Sequence, residues 1–134
     1  IPVVINGDIV DPLTALTALQ ASGADAVMVG RGAYGAPWMP KRIADTLATG
    51  TDPGDPSLAT QSAIAVGHLD AMLDHEGRRG LHAARKHIGW YVAGLPGGEA
   101  FRQHMNTLEH AAAQHAAVDA YFSQLAQRYP QWPI

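Results

Sequence analysis

The chain has no cysteine. No disulfide, thiolate metal site or cysteine nucleophile can therefore form within it. Charge is sparse as well: 16% of residues are Asp, Glu, Lys or Arg, and the net charge of −3 gives no global attraction to nucleic acid. Any polyanion contact has to come from a local basic face. No apolar run approaches the roughly 20 residues of a membrane span. The expectation is a chain that makes no membrane contact, and the missing thiols are compatible with a cytoplasmic location. The start, Ile1-Pro2-Val3-Val4-Ile5, has neither an initiating Met nor a basic leader, and it reads as the middle of a fold. A fragment is expected. What is abundant is apolar: 47% of the 134 residues are hydrophobic, enough for one medium domain or two small units.

Residues 2–5 are a short β-branched run that stops at Asn6-Gly7-Asp8. Asp11-Pro12 then reads as an N-cap with proline at the first helical position. Leu13, Leu16, Ala18, Leu19 and Ala21 supply an apolar stripe, which Ser22-Gly23 closes. Residues 25–29 form a second strand, and a helix follows over 37–48. Strand, helix, strand, helix with short loops is the pattern of parallel βα units. Two such units cannot bury a parallel sheet on both faces, so partner strands or a second copy are expected. The tract 48–57 holds two prolines and two glycines and reads as a linker. Beyond it the spacing predicts helices at 57–76, 79–95, 98–114 and 116–129, a small bundle. The domains are thus 1–48, a linker at 49–56, and 57–134. The first 56 residues carry six acids and three bases; the remainder carries six of each and all seven histidines.

Each strand is followed by glycine: Asn6-Gly7-Asp8 after the first, Gly30-Arg31-Gly32 after the second. In a βα-barrel the loops after the last two strands often build a phosphate site with the N-terminus of a short extra helix. Glycine lets backbone N–H groups approach an anion. A helix N-terminus adds partial positive charge. An arginine adds a fork of donors that matches phosphate twice. Glycine turns also end ordinary βα units, and the spacing does not separate flavin from sugar phosphate or nucleotide.

A helix over 78–95 puts Leu81, Ala84, Ile88, Tyr91, Val92 and Leu95 within an arc of roughly 100°. Arg78, Arg79, His82, Arg85 and Lys86 fall in an adjoining arc of roughly 120°, with Trp90 at its edge and Gly89 keeping the surface low. Such a face suits RNA, through phosphate contacts and base stacking. It equally suits a solvated helix beside Asp74 and Glu76. Arg102 is a further cation, expected to face outward from a helix start anchored by Phe101.

The stretches IPVVINGDI, GADAVMVGRGAYGAPW, ARKHIGWY and FRQHMNTLEH, in this order across nearly the whole chain, resemble the C-terminal portion of the tRNA-dihydrouridine synthase family. The bacterial branch that includes nitrogen-regulation-type proteins is most similar. The resemblance implies an α/β plus all-α fold: the last two βα units of a flavin-binding TIM (β/α)8 barrel, then a four-helix tRNA-binding domain. It implies that Asn6, Gly7, Asp8, Gly30 and Arg31 hold the phosphate side of FMN. Arg31 would face the phosphate, and Asp8 would organise its loop by backbone hydrogen bonds or lie toward the ring end. Trp38 would pack the extra helix onto the barrel. It implies RNA contacts from Arg85 and Lys86; Arg78, Arg79, Trp90 and Arg102 are further RNA candidates from the basic face and the helix start. The family reduces uridine in tRNA to 5,6-dihydrouridine, with NADPH reloading the flavin and a cysteine of an earlier barrel loop protonating the uracil ring. This chain has no such cysteine, so no catalytic residue is assigned and the 134 residues alone are expected to be inactive. The rival readings are a non-catalytic RNA-binding or interaction module, and another phosphate-binding TIM-barrel flavoenzyme.

The histidines give no zinc signature. His68, His75 and His82 are seven apart, about 10 Å along a helix, which is too far for ligands of one ion. No metal is expected. His87 and His104 are read as structural hydrogen-bond donors. Met105, Leu108, Ala112, Val118, Tyr121, Phe122 and Leu125 recur at helical spacing and are assigned to core.

Overall fold

The computed structural model describes residues 1–132. The last two positions of the expected helical domain, 133 and 134, lie outside the described residues. The chain divides into two compact units, Ile1–Asp55 and Pro56–Ile134.

The first unit holds strand β1 (Val4–Ile5), helix α1 (Pro12–Ser22), strand β2 (Ala26–Val27), one turn of 3₁₀ helix (Arg31–Ala33) and helix α2 (Met39–Thr49). The strands pair in parallel, Val4 with Ala26 and Ile5 with Val27. Both are shorter than the apolar runs that contain them. The Asp25 carboxylate accepts from the Val3 amide at 2.7 Å, and Met28 N–H donates to the Ile5 carbonyl at 2.8 Å, so pairing extends just past the ladder. At the start of α1, Asp11 and Thr14 cap reciprocally: the Thr14 amide donates to Asp11 Oδ1 at 2.7 Å and the Asp11 amide to Thr14 Oγ1 at 3.1 Å. The buried residues of α1 are Pro12 and Ala15, and Ala15 packs with Ile9, Met39 and Ile43. Leu13 and Leu16, read from spacing as core, are exposed, as are Val3 and Val4. A helix that is apolar on more than one side cannot bury every side against two strands and one helix.

Helix α2 begins two residues later than expected, with Trp38 at its N-cap. Residues 50–55, expected as a plain linker, are anchored. Arg42 donates to both oxygens of Asp52 at 2.7 Å and to Asp55 Oδ1 at 2.7 Å. Trp38 Nε1 donates to the same Asp55 oxygen at 2.8 Å, so Trp38 ties the start of α2 to this turn. The Asp52 hydrogen bonds raise the Arg42 guanidinium well above its ordinary value, and the Arg42 hydrogen bond lowers the Asp52 carboxyl to about 2.

The described residues of the second unit form α3 (Leu58–Glu76), α4 (Arg78–Val92), α5 (Gly98–Met105) and α6 (Ala111–Arg128). Helix α3 packs on α4 and α6, and α4 on α5. Gly77 alone joins α3 to α4, at φ +56° and ψ −130°, backbone that only glycine adopts readily. The arc read from the α4 sequence is the buried one: Leu81, Ala84, Ile88, Tyr91 and Val92 are each at most 6% exposed. The expected helix 98–114 instead stops at Met105. Thr107 turns its hydroxyl onto the His104 carbonyl at 2.7 Å, and the Leu108 carbonyl is taken by Arg85, so the backbone leaves the helical ladder. Helix α6 starts at Ala111, five residues early, because the alanine run 111–113 favours helix and Gln114 is buried within it, donating to the Leu81 carbonyl at 3.1 Å. Ala112, assigned to core, is exposed. Phe101 points inward as expected and stacks on Tyr121 with centroids 4.3 Å apart. No helix among the described residues is long and apolar enough to cross a membrane.

Candidate functional site

Two depressions collect the chemistry, one in each unit. The first is lined by Asn6, Gly7, Asp8, Ile9, Val10, Met28, Gly30, Arg31 and Gly32, with a volume of about 240 Å³. It lies at the C-terminal ends of β1 and β2, since parallel pairing puts both following loops on one side. All five residues expected at a cofactor phosphate are therefore brought together. Gly32 sets how closely the two loops approach. A Cβ there would collide with the Ile9 carbonyl oxygen and come within 2.8 Å of the Val10 Cα. Gly7 at φ +118° and Asp8 at φ +47° turn the first loop through left-handed backbone.

Asp8 does something the sequence reading did not assign to it. Its Oδ1 accepts from Arg31 Nη2 at 2.9 Å, joining the two loops. The side chains are 79% and 87% exposed, so this pair contributes at most about 1 kcal/mol. Glycine backbone and a guanidinium on an exposed rim form a donor set suited to a phosphate. The volume falls below the ~300–1,000 Å³ of typical ligand pockets.

The second depression, of about 530 Å³, lies between α4 and α5. His82, Arg85, Lys86, Gly89 and Trp90 line it from α4, and Ala93 from its C-cap. Gly98, Glu99, Arg102 and Asn106 line it from α5 and its C-terminus. Four of the six expected RNA-facing residues, Arg85, Lys86, Trp90 and Arg102, thus share one cleft. Arg78 lines a separate depression with Glu109 and His110, and Arg79 is exposed on the first turn of α4.

The cations of the cleft are not equivalent. Arg85 Nη2 donates to the Leu108 carbonyl at 2.9 Å and to Glu109 Oε1 at 3.0 Å, while its Nε is buried without a protein partner. That guanidinium holds the turn after α5, a structural duty which the helical-wheel reading missed. Arg102 is paired through two nitrogens with Glu99, at 2.9 and 2.7 Å. Its hydrogen bonds lower the Glu99 carboxyl to about 2. Glu99 and Asn106 are lining residues the sequence reading did not name; the i, i+3 spacing of Glu99 to Arg102 was the available signal. Lys86 Nζ lies 5.1 Å from the Trp90 ring centroid, a cation–π contact.

Behind Trp90 runs a chain of rings. His87 meets Trp90 edge-on at 5.0 Å and His68 edge-on at 4.9 Å, and His68 Nδ1 lies 3.1 Å from the Tyr91 hydroxyl. Burial, then the neighbouring His68 and Lys86, lower the His87 pKa, and burial raises that of Tyr91. Both favour their neutral forms and back the cleft wall with uncharged rings. Among the described residues no group of three His, Cys, Asp or Glu side chains is placed to hold a metal ion.

The family model described as "Dihydrouridine synthase (Dus)" matches residues 1–127. The chain belongs to the dihydrouridine synthase family, whose fold is a TIM barrel. It is 43% identical over 128 residues to "Probable tRNA-dihydrouridine synthase" of Rickettsia conorii, covering 95% of this chain and 39% of that protein. It is 42% identical over 128 residues to "tRNA-dihydrouridine synthase B" of Pseudomonas putida, covering 95% and 38%. It is 44% identical over 131 residues to the protein of that name from Xanthomonas axonopodis pv. citri, covering 97% and 40%. The chain spans about two fifths of the length of these curated relatives.

Proposed function

We propose that this chain is the part of an FMN-dependent tRNA-dihydrouridine synthase that grips the flavin phosphate and the tRNA. The observation that carries the reading is the convergence of Asn6-Gly7-Asp8 and Gly30-Arg31-Gly32 in one depression at the ends of two parallel strands. Active and phosphate sites of βα-barrels sit at that end. FMN supplies, when bound, the hydride that reduces the uracil ring; NADPH is the reductant that restores it. The chain's own contribution is binding. Backbone amides of the two loops and the Arg31 guanidinium hold the phosphate. A dianion draws Arg31 away from Asp8 at little cost, because that pair is exposed on both sides. The cysteine expected to protonate the uracil ring is not among these 134 residues. The segment alone is therefore inactive. The exposed apolar residues Val3, Val4, Leu13 and Leu16 lie where neighbouring barrel elements would cover them.

The α4–α5 cleft serves the substrate. Lys86 and Arg102 meet phosphates, and Trp90 offers a face to an unpaired base. The three relatives described above carry tRNA in their printed names, and this supports reading the cleft as a tRNA site. The test is turnover by the natural polypeptide that carries this segment, supplied with FMN, NADPH and unmodified tRNA. Nucleoside mass spectrometry should find uridine gaining two hydrogens at a defined position. NADPH oxidation without that product would overturn the assignment in favour of another flavin enzyme.

A further inference from the structure

Helix α4 carries a glycine, Gly89, in its interior, three residues before its end. Glycine is among the poorest helix formers, so helix stability does not account for it. Space does. A Cβ at Gly89 would lie 3.2 Å from the Arg102 Cδ and 3.4 Å from its Cγ, and among the described residues those are the only heavy atoms within 4 Å beyond its sequence neighbours and the helix backbone. The missing side chain serves one partner, the aliphatic stem of Arg102.

That stem crosses from α5 onto α4 and rests on the bare backbone. Its guanidinium is then held in the cleft that Lys86 and Trp90 also line, with Glu99 gripping it from its own helix. We propose that Gly89 is a positioning residue for nucleic-acid binding: by leaving room for the Arg102 stem, it brings a second cation into the Lys86–Trp90 cleft and so builds a two-cation phosphate clamp. The inference rests on the RNA reading of that cleft. It assigns Gly89 no contact with RNA; Gly89 acts through Arg102.

The test combines Gly89→Ala and Gly89→Leu with Arg102→Ala, using an unmodified tRNA transcript and the whole chain. Gly89→Ala should fold and melt no lower than the parent, since alanine improves the helix. The Gly89→Ala methyl asks the Arg102 stem to give by only a few tenths of an ångström, so tRNA affinity should change less than about two-fold there; in Gly89→Leu it should fall about ten-fold, and the salt dependence should flatten by about one phosphate contact. In the Arg102→Ala background, neither Gly89 substitution should weaken binding further. A second readout needs no RNA. If Arg102 is displaced, the Glu99 carboxyl titrates closer to the ordinary carboxylate range in Gly89→Leu, as followed by NMR. Full tRNA affinity in Gly89→Leu overturns the proposal, and so does an equal loss in the Arg102→Ala background. No binding by the unsubstituted chain, with Glu99 still responding to Gly89→Leu, overturns the RNA reading of the cleft and leaves the Gly89–Arg102 coupling standing.

Discussion

Arg31 on the loop after β2 donates to Asp8 on the loop after β1 at 2.9 Å, across 23 residues of sequence. This is the contact a phosphate has to compete with. Asp8 also sits at φ +47°, which asparagine tolerates as well as aspartate. Asp8→Asn should therefore keep the loop while releasing Arg31. In the natural protein, FMN should bind several-fold more tightly in Asp8→Asn and about ten- to a hundred-fold more weakly in Arg31→Ala, a loss of roughly 1.5–3 kcal/mol. Flavin fluorescence quenching measures both. Equal affinity in all three proteins would remove Arg31 from the phosphate site.

The Arg42 cluster makes a prediction about stability alone. Arg42 is 18% exposed and ties α2 to Asp52 and Asp55. Arg42→Ala leaves two carboxylates and the Trp38 indole without that centre. The first unit should lose about 1–2 kcal/mol in urea unfolding at neutral pH. The contribution of Asp52, whose carboxyl is lowered to about 2, is present above its unfolded value near 3.8 and fades as pH falls toward 2. The difference between parent and Arg42→Ala should shrink over that window.

Glu99 works against an anion in the second cleft. It neutralises Arg102 and remains ionised down to about pH 2, so mild acid does not remove it. Glu99→Gln should tighten tRNA binding two- to five-fold and steepen its salt dependence by less than one phosphate contact, since Arg102 already makes a contact in the parent. Filter binding over a range of salt concentrations reports both. Weaker binding in Glu99→Gln would mean that Glu99 orients Arg102 instead of restraining it.

His87 gives a pH dependence whose sign follows from its environment. Burial, then His68 and Lys86, lower its pKa below the ordinary 6.5. The unfolded chain thus binds more protons than the folded one between the two values. Stability from this group is complete above pH 6.5 and is lost as pH falls through that window to the folded value. Replacing His87 with Gln should flatten the fall in melting temperature below pH 6.5.

Local patterning made much of the fold readable. Asp11-Pro12 capped a helix, Gly23 ended it, and the apolar arc of α4 was the buried one. The misreadings came from long-range contacts. The end of α5 at Met105 depends on Arg85, more than twenty residues away, capturing the Leu108 carbonyl. The tract 50–55 looked like a linker because the arginine that orders it lies back on α2. In the candidate sites, residue type and arc set Lys86 and Trp90, which both line the α4–α5 cleft, on one side of α4. They could not show that Arg85 is committed to its own chain, that Asp8 pairs with Arg31, or that Glu99 shares the cleft with Arg102, because each depends on where a second element packs.

The binding half of the account stands most directly on a salt titration of tRNA affinity for this chain and its Lys86→Ala variant. The expected result is a linear fall of log affinity with log salt, with a slope corresponding to a few phosphate contacts and shallower by about one contact in Lys86→Ala. An affinity that ignores salt, or a Lys86→Ala variant that matches its parent at every salt concentration, would contradict it.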